Sequence, residues 1–144
     1  MIVTFCGHSS FKKSDEIERK ILSFLEENIS DSYAQMYLGG YGAFDDFACE
    51  CCKKYKAEHP NVSLILVTPY INNSCVSTNY DFVIYPEIEK VPKRFAITYR
   101  NRYMIDRSDF VIAYVEHLWG GAYQSYKYAK SKGKKILNLA NLND

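Results

Sequence analysis

The sequence lacks long hydrophobic runs, a clear excess of either charge and a recognisable leader. No apolar stretch in its 144 residues approaches the roughly 20 that a membrane-spanning helix needs, so we expect no membrane association. The start, MIVTFCGHSS, has no basic lead-in and no small-residue cleavage site, so a cytoplasmic protein is expected. The 18 basic and 17 acidic side chains nearly cancel, which disfavours nucleic acid and anionic membranes as partners.

The sequence also lacks the cysteine patterns of metal sites and disulfide frameworks. It has five cysteines, an odd number in a chain without secretory features, and this favours reduced thiols. The run CECC at 49–52 has no second pair of cysteines or histidines at zinc spacing, and it lies in a helical pattern. We therefore expect no metal and no cofactor.

Apolar runs alternate with amphipathic stretches from end to end. The predicted strands are 2–7, 34–39, 62–70, 81–86, 109–115 and 134–140, and the predicted helices are 15–29, 43–58, 94–107 and 121–132. Because the strands are almost continuously apolar, the pattern indicates a parallel sheet covered by helices on both faces. No linker or repeat divides the chain, so we expect one domain over 1–144. Ser14 is expected to cap the first helix and Gly133 to end the last one.

Glycine is scarce, yet it is concentrated after two predicted strands. Three of the seven glycines lie between 39 and 42, and Gly120-Gly121 precedes the last helix. Such turns bring the backbone close to a ligand and direct free N–H groups at an anion, for which phosphate is the expected guest. The spacing matches neither the dinucleotide fingerprint nor a P-loop, and a plain strand-to-helix turn is the alternative. Both turns and the 7–10 loop can meet at the carboxyl edge of the sheet.

The stretch between the two turns carries a further pattern. After the GGxG turn and its helix, the chain reads R-N-x-x-M-x-x-x-S-D-x-x-I-A from Arg100, and then a GG turn with a helix ending in YAKSKGKKI. This order resembles the SMF/DprA–LOG (SLOG) superfamily, over roughly residues 2 to 140. That group includes the Lonely Guy phosphoribohydrolases, DNA-processing protein A and nucleotide-sensing domains of bacterial defence proteins. The resemblance implies an α/β, Rossmann-like three-layer sandwich with a mostly parallel central sheet.

The resemblance also implies a site at these motifs. Arg100 stands at the arginine of the Lonely Guy R-K-x-x-M motif, where Asn101 replaces the lysine. The expected ligand-binding residues are Gly7, His8, Ser9, Gly39, Gly40, Gly42, Phe44, Arg100, Asn101, Met104, Gly120, Gly121 and Gln124. Two alternative interpretations stay open. Arg100 can be a solvated charge, as most helical arginines are, and His8 can be structural, as a histidine beside a turn usually is.

The catalytic carboxylate of both related enzyme groups is missing. Tyr126 stands where the Lonely Guy enzymes have their glutamate, and Ser125 stands where the similar nucleoside 2-deoxyribosyltransferases have their nucleophile. Asp45 and Asp46 are the candidate catalytic replacements, although carboxylates in a first helical turn more often serve the helix dipole.

Two functions from different classes follow from this pattern. The first is a sensor or ligand-binding module for a small nucleotide resembling AMP or ADP-ribose. The second is a hydrolase or transferase that acts on the N-glycosidic bond of a nucleoside or nucleoside monophosphate. The resemblance further implies a homodimer or higher homo-oligomer. A structural partner of nucleic acid is a third class that the neutral charge disfavours.

Overall fold

The computed structural model of the protein describes residues 1–30, 32–70 and 79–142. Strands and helices alternate along it: β1 (Ile2–Gly7), α1 (Asp15–Asn28), β2 (Ala34–Leu38), α2 (Ala43–Glu58), β3 (Val62–Val67), β4 (Phe82–Ile84), α3 (Ala96–Arg107), β5 (Phe110–Tyr114), α4 (Gly121–Ser131) and β6 (Lys135–Asn138). All six strands and four helices predicted from the sequence are present. The polar stretch predicted as a loop over 69–80 falls mostly on 71–78, outside the described residues.

Local signals in the sequence account for where several elements begin and end. The Ser14 hydroxyl accepts a hydrogen bond from the Ile17 amide and caps α1, as predicted. Gly133, with φ +70, follows the last turn of α4 in the left-handed conformation typical of a helix stop. The strand β3 is shorter than predicted, because Pro69 has no N–H with which to extend the ladder.

The six strands form one sheet in which every pair is parallel, in the order β4-β3-β2-β1-β5-β6. The chain runs outward from β1 to β4 on one side and then returns to place β5 and β6 on the other side. The order therefore reverses between β1 and β5, where Gly7 lies opposite Tyr114. In open α/β sheets, ligands bind beyond the carboxyl ends of the strands at this switch point.

The alternation of side chains along the strands separates two helical layers. Phe5, Met36 and Ile112 belong to a core cluster shared with α1 and α2. Strand residues whose side chains point to the other face pack on the second helical layer. There Tyr37 packs in a cluster with Met104. Val111 packs in another cluster with Ile105 and Ala129. The result is the predicted three-layer sandwich, with α1 and α2 on one face and α3 and α4 on the other. No helix within the described residues is long and apolar enough to cross a membrane.

Candidate functional site

A cavity of about 310 Å³ opens at the carboxyl ends of β1 and β5, directly above the switch point. Its walls come from residues 4–10, from Tyr41 and Asp45, from the inner side of α3, and from the turn and helix start between 117 and 125. The sheet topology explains this convergence, since the carboxyl ends of parallel strands all face the same edge.

The start of α4 forms one wall of this cavity. Gly120 is its N-cap, with φ 92 and ψ 174, and supplies no capping side chain. Among the described residues, nothing accepts a hydrogen bond from the amides of Gly121, Ala122 and Tyr123, and the first turn contains no acidic residue. Free donors and the positive end of a helix dipole thus meet at the cavity without a negative side chain.

Ser125 lies one turn further along α4 and faces the same cavity. Its side chain belongs to a residue only 6% exposed, and it lines the cavity wall. Its hydroxyl makes no hydrogen bond to another described residue, and since no fully buried side-chain polar atom among the described residues lacks a partner, this oxygen keeps some contact with solvent. A buried hydroxyl that is left open to a cavity is a donor and acceptor available to a ligand.

The start of α2 has the same backbone but different surroundings. Gly42, with φ 93 and ψ 168, is its N-cap and again supplies no side chain. Here the amide of Tyr41 donates to Asp45 Oδ2 at 3.0 Å, and the amide of Ala43 donates to the Ser9 carbonyl at 3.2 Å. The carboxylate of Asp45 therefore already places a negative charge at the positive end of this helix.

The glycines near α2 are needed for packing. A Cβ atom on Gly7 would lie 2.3 Å from the Phe44 ring, and one on Gly40 would lie 2.6 Å from Leu66 Cδ1. At Gly42 the nearest atom would be backbone, Ser9 Cα at 3.1 Å. These glycines permit close approach between parts of the protein itself, which is the plain-turn alternative of the sequence analysis.

Arg100 is a buried cation that ties α3 to two strand ends. It is 5% exposed, and its Nη1 donates to the Gly39 carbonyl at 2.9 Å and to the Val67 carbonyl at 3.0 Å. Its Nε donates to Asn101 Oδ1 at 2.9 Å, which orients that amide at the cavity wall. Burial lowers the pKa of Arg100 from its ordinary value, an effect that nearby Asp45 opposes. The arginine is thus not a solvated charge.

Asp45 is the acidic side chain of the cavity wall. Burial raises its pKa from 3.8 to about 6, although the Tyr41 amide and the Arg100 charge favour the ionised form. Asp46 is exposed and does not reach the cavity. Cys6 also lines the cavity, but burial and the Asp45 charge raise its pKa to about 12, so its thiol is protonated at neutral pH.

His8 begins a stack of three rings at the cavity mouth. Its ring lies 3.8 Å from that of His117, which lies 3.7 Å from that of Trp119. His8 Nε2 accepts a hydrogen bond from the Glu116 amide at 3.0 Å, so this nitrogen is unprotonated. Burial lowers the pKa of His8, with a further contribution from His117. His8 is therefore neutral, and its hydrogen bond to the Glu116 amide is structural. Its ring stacks on His117, which in turn stacks on the exposed Trp119.

The cavity gathers some of the predicted residues and leaves others outside. Those in its lining are Gly7, His8, Ser9, Asp45, Arg100, Asn101, Met104, Gly120 and Gly121. Those outside it are Gly39, Gly40, Gly42, Phe44, Asp46 and Gln124. The lining also includes Cys6, Ile97, His117, Trp119 and Ala122, which were not among the residues predicted from the sequence. One signal was available for Trp119, because the chain has a single tryptophan and it directly precedes the second glycine turn.

The structure also separates the two positions at which related enzymes carry their carboxylate. Ser125 lines the cavity, whereas Tyr126 lies outside it with Lys130 over its ring.

Comparison with known proteins identifies the fold. No protein-family model matches the sequence, and no curated protein matches it significantly. The X-ray structure of TM1055, a structural genomics target, is similar with a TM-score of 0.62 and 12% identity, covering 94% of this chain and 71% of that one. DNA processing protein A from Helicobacter pylori, studied for its binding of single-stranded DNA, is similar with a TM-score of 0.59 and 19% identity, covering 94% and 63%.

A third similar structure is the molybdenum cofactor carrier protein from Chlamydomonas reinhardtii, with a TM-score of 0.58 and 12% identity, covering 94% of this chain and 74% of that one. All three share the Rossmann-like α/β fold of this protein. The likeness confirms the fold that the sequence resemblance predicts. This chain spans less than two thirds of the H. pylori protein, and at these identities the likeness concerns the fold alone.

Proposed function

We propose that this protein binds a nucleotide or nucleotide-derived small molecule in the cavity above β1 and β5, as a sensor or ligand-binding module. The observation that carries the proposal is the start of α4, where Gly121 and Ala122, whose amides have no acceptor among the described residues, line one cavity together with Ser125 and without a carboxylate in the helix's first turn. A phosphate group supplies the negative charge and the acceptor oxygens that such a wall lacks.

The rest of the cavity suits the other parts of a nucleotide. Trp119, 68% exposed, and Tyr41, 75% exposed, stand at the mouth, where a base can stack on an aromatic ring. Asn101 uses its oxygen for Arg100, which leaves its NH₂ group to donate to a ribose hydroxyl. The volume of about 310 Å³ lies at the lower end of small-molecule sites, so a nucleoside monophosphate fits this proposal better than a dinucleotide.

The charges also favour one orientation of the ligand. Asp45 repels an anion at the α2 side of the cavity, whereas the α4 side has no acid in its first turn. The phosphate is therefore assigned to α4 and the sugar to the space between Asp45 and Asn101.

A second candidate is hydrolysis or transfer at the N-glycosidic bond, and the raised pKa of Asp45 is the observation that favours it. A carboxyl group with a pKa of about 6 can donate or accept a proton near neutral pH. Most glycosidases, however, use two carboxyl groups that flank the bond, and Asp45 has no second carboxylate beside it among the described lining residues. The binding module is accordingly the primary proposal.

We also propose that the protein self-associates near the mouth of the cavity, as the resemblance implies. Ile97, Leu118 and Trp119 are between 45% and 68% exposed there, and apolar side chains of this kind are common in subunit interfaces. Analytical ultracentrifugation with and without AMP checks this proposal, and a monomer at high micromolar concentration in both conditions contradicts it.

One experiment tests binding against turnover. Isothermal titration with AMP, other nucleoside monophosphates and ADP-ribose, each followed by chromatography of the mixture, measures affinity and released base together. Saturable binding without free base is the expected result. Base release that Asp45→Asn abolishes and Asp46→Asn preserves favours the enzyme, and the absence of binding to every nucleotide overturns the proposal.

A further inference from the structure

The near-neutral net charge of the chain conceals a strong separation of charge. Residues 90–135 contain 11 lysines and arginines against three acidic residues, whereas residues 1–89 contain seven against 13. The first range includes α3 and α4, which cover one face of the sheet, and the second includes α1 and α2, which cover the other. One side of the protein is therefore basic and the opposite side acidic.

The basic residues of the two sides differ in their partners. The ion pairs among the described residues all involve cations before residue 90, as in Lys54 with Glu18 and Lys56 with Asp81. No lysine or arginine of 90–135 has a carboxylate within 4.0 Å in the described chain. Seven of these cations lie over aromatic rings instead: Arg94 over Phe95, Arg102 over Tyr128, Arg107 over Tyr103, Lys127 over Tyr123, Lys130 over Tyr126, Lys132 over Tyr128, and Lys135 over Phe24 and Phe110.

The basic side contains a groove of about 720 Å³ between α3, the segment after β4 and one residue of α4. We call it the arginine–tyrosine groove, after the lining residues Tyr85, Tyr99, Arg102, Tyr103, Arg107 and Tyr128. Glu87 and Asp106 also line it, and Asp106 accepts a hydrogen bond from the Tyr128 hydroxyl. None of the lining residues belongs to the cavity above β1 and β5, so the two sites lie on different sides of α3.

The geometry of this groove suits unpaired bases. The Arg107 guanidinium lies 3.7 Å from the Tyr103 ring centre and the Arg102 guanidinium 4.9 Å from that of Tyr128. Each arginine is thereby held in place by a ring while its charge stays free of any described carboxylate. Tyr99 is 49% exposed, and no described residue contacts its ring by stacking or hydrogen bonding. Bases stack on aromatic rings and on guanidinium planes. Lys132, which lies over Tyr128, and Lys134, which donates to the Asp106 carbonyl, are cations beside the groove that can attract phosphates.

We propose that the arginine–tyrosine groove binds single-stranded nucleic acid. An anionic membrane or an acidic peptide would use the charge alone, whereas stacked arginines and a free tyrosine ring also provide for bases. A duplex keeps its bases stacked internally and is a poorer fit. The net charge of the whole chain is a misleading guide here, because the attraction of a polyanion depends on the local field of one face.

Fluorescence anisotropy with a labelled oligothymidylate of about 20 nucleotides tests the proposal. The parent protein is expected to bind it more tightly than a duplex of equal length, with affinity that falls steeply between about 50 and 200 mM salt. The double variant Arg102→Glu with Arg107→Glu should bind at least about tenfold more weakly and show a shallower salt dependence. Lys12→Glu with Lys13→Glu is the matched control, since it makes the same charge change at exposed positions outside the groove and should bind as the parent does.

Tyr99→Ala separates stacking from charge. It should weaken binding about fivefold or more while leaving the salt dependence unchanged, because it removes a ring and no charge. Circular dichroism verifies that each variant is folded, and this exposed single substitution remains informative if the double variant is not.

Four outcomes overturn the proposal. The first is that the parent does not bind the oligonucleotide at low salt, and the second is that the Lys12/Lys13 control loses as much affinity as the arginine double variant. The third is that phosphatidylserine vesicles or polyglutamate bind as tightly as the oligonucleotide and with the same dependence on the two arginines. The fourth is that saturating AMP displaces the oligonucleotide. The last outcome would place the strand in the nucleotide cavity, so failure of this proposal is distinguishable from failure of the proposed function.

Discussion

The two glycine turns of this protein have nearly the same backbone and opposite surroundings. Gly42 and Gly120 cap α2 and α4 with φ values of 93 and 92 and ψ values of 168 and 174. This region of conformational space is essentially restricted to glycine, so both caps need that residue for the same reason. The difference lies in what surrounds each turn.

The α2 turn is packed and carries its own negative charge, whereas the α4 turn is open and carries none. A Cβ on Gly40 would be 2.6 Å from a side chain, but a Cβ on Gly121 would meet nothing within 4 Å. Asp45 and Asp46 occupy the first turn of α2, and no acid occupies that of α4. A glycine-rich turn before a helix therefore indicates either close packing or an anion site, and the charge of the next few residues helps to distinguish the two.

The largest expected effect comes from breaking the packed turn. Gly40→Val should lower the free energy of unfolding by about 3–4 kcal/mol, because a branched side chain at φ +68 is strained and also overlaps Leu66. The melting temperature should fall by roughly 10 °C. Gly121→Val is the matched control in the open turn, and its stability should stay within about 0.5 kcal/mol of the parent. Equal melting temperatures for the two variants would remove the distinction between the turns.

The second prediction concerns Arg100, which joins the packed turn to the cavity. Arg100→Ala should lower stability by about 2 kcal/mol, because the carbonyls of Gly39 and Val67 lose their donor. AMP affinity in the folded fraction should fall about tenfold, with Arg100→Lys intermediate because an ammonium keeps the charge without the planar fork. Thermal melts and titration calorimetry on both variants measure the two effects separately. Reduced stability with unchanged affinity would make Arg100 purely structural.

The fold was predictable from the sequence because its signals are local and mutually consistent. Apolar runs, the Ser14 cap and the Gly133 stop each specify an element without reference to the rest of the chain. The length of β4 was less predictable, since it lies at the edge of the sheet and pairs with β3 only over Phe82–Ile84.

The site was predictable only in part, because it depends on which side of each turn faces the cavity. Gly39, Gly40 and Gly120 fit one motif class equally well, yet only Gly120 lines the cavity. Trp119 lines the cavity because of the direction in which the chain leaves β5, and Ser125 lines it because of the rotation of α4 about its axis. Neither can be derived from the spacing of residues in the sequence. The basic face was not predicted for a related reason. The net charge of the chain adds the basic residues of one helical layer to the acidic residues of the other, and the two nearly cancel.

The third prediction uses the open turn as a probe of the ligand. Gly121→Val, which should leave stability unchanged, adds two methyl groups and a methine carbon at the cavity wall beside the free amides. We expect at least about a fivefold loss of AMP affinity, with Gly121→Ala showing a smaller loss in proportion to its size. Titration calorimetry measures both. If Gly121→Val binds AMP as the parent does, the phosphate does not bind at α4.

The last and smallest effect is a pH dependence that belongs to the α2 turn. Burial raises the pKa of Asp45 from 3.8 to about 6, so the folded protein holds this proton more tightly than the unfolded chain does. Between about pH 4 and pH 6 the folded state therefore binds more protons, and the stability that Asp45 contributes is present at low pH and is lost as the pH rises through this window. We expect a decrease on the order of 1 kcal/mol, since Asp45 keeps some contact with solvent and with the Arg100 charge.

Urea unfolding at closely spaced pH values, with the parent compared with two variants, isolates this contribution. Asp45→Asn cannot ionise and still accepts the hydrogen bond from the Tyr41 amide through its oxygen, so its stability should lack the decrease. Asp46→Asn makes the same chemical change at an exposed position one residue further along, and it should retain the decrease. If the stability of Asp45→Asn decreases with pH as steeply as that of the parent, another group titrates in this window. Burial of the Asp45 carboxylate then does not cause the pH dependence. The comparison of the two helix starts would then depend on packing alone.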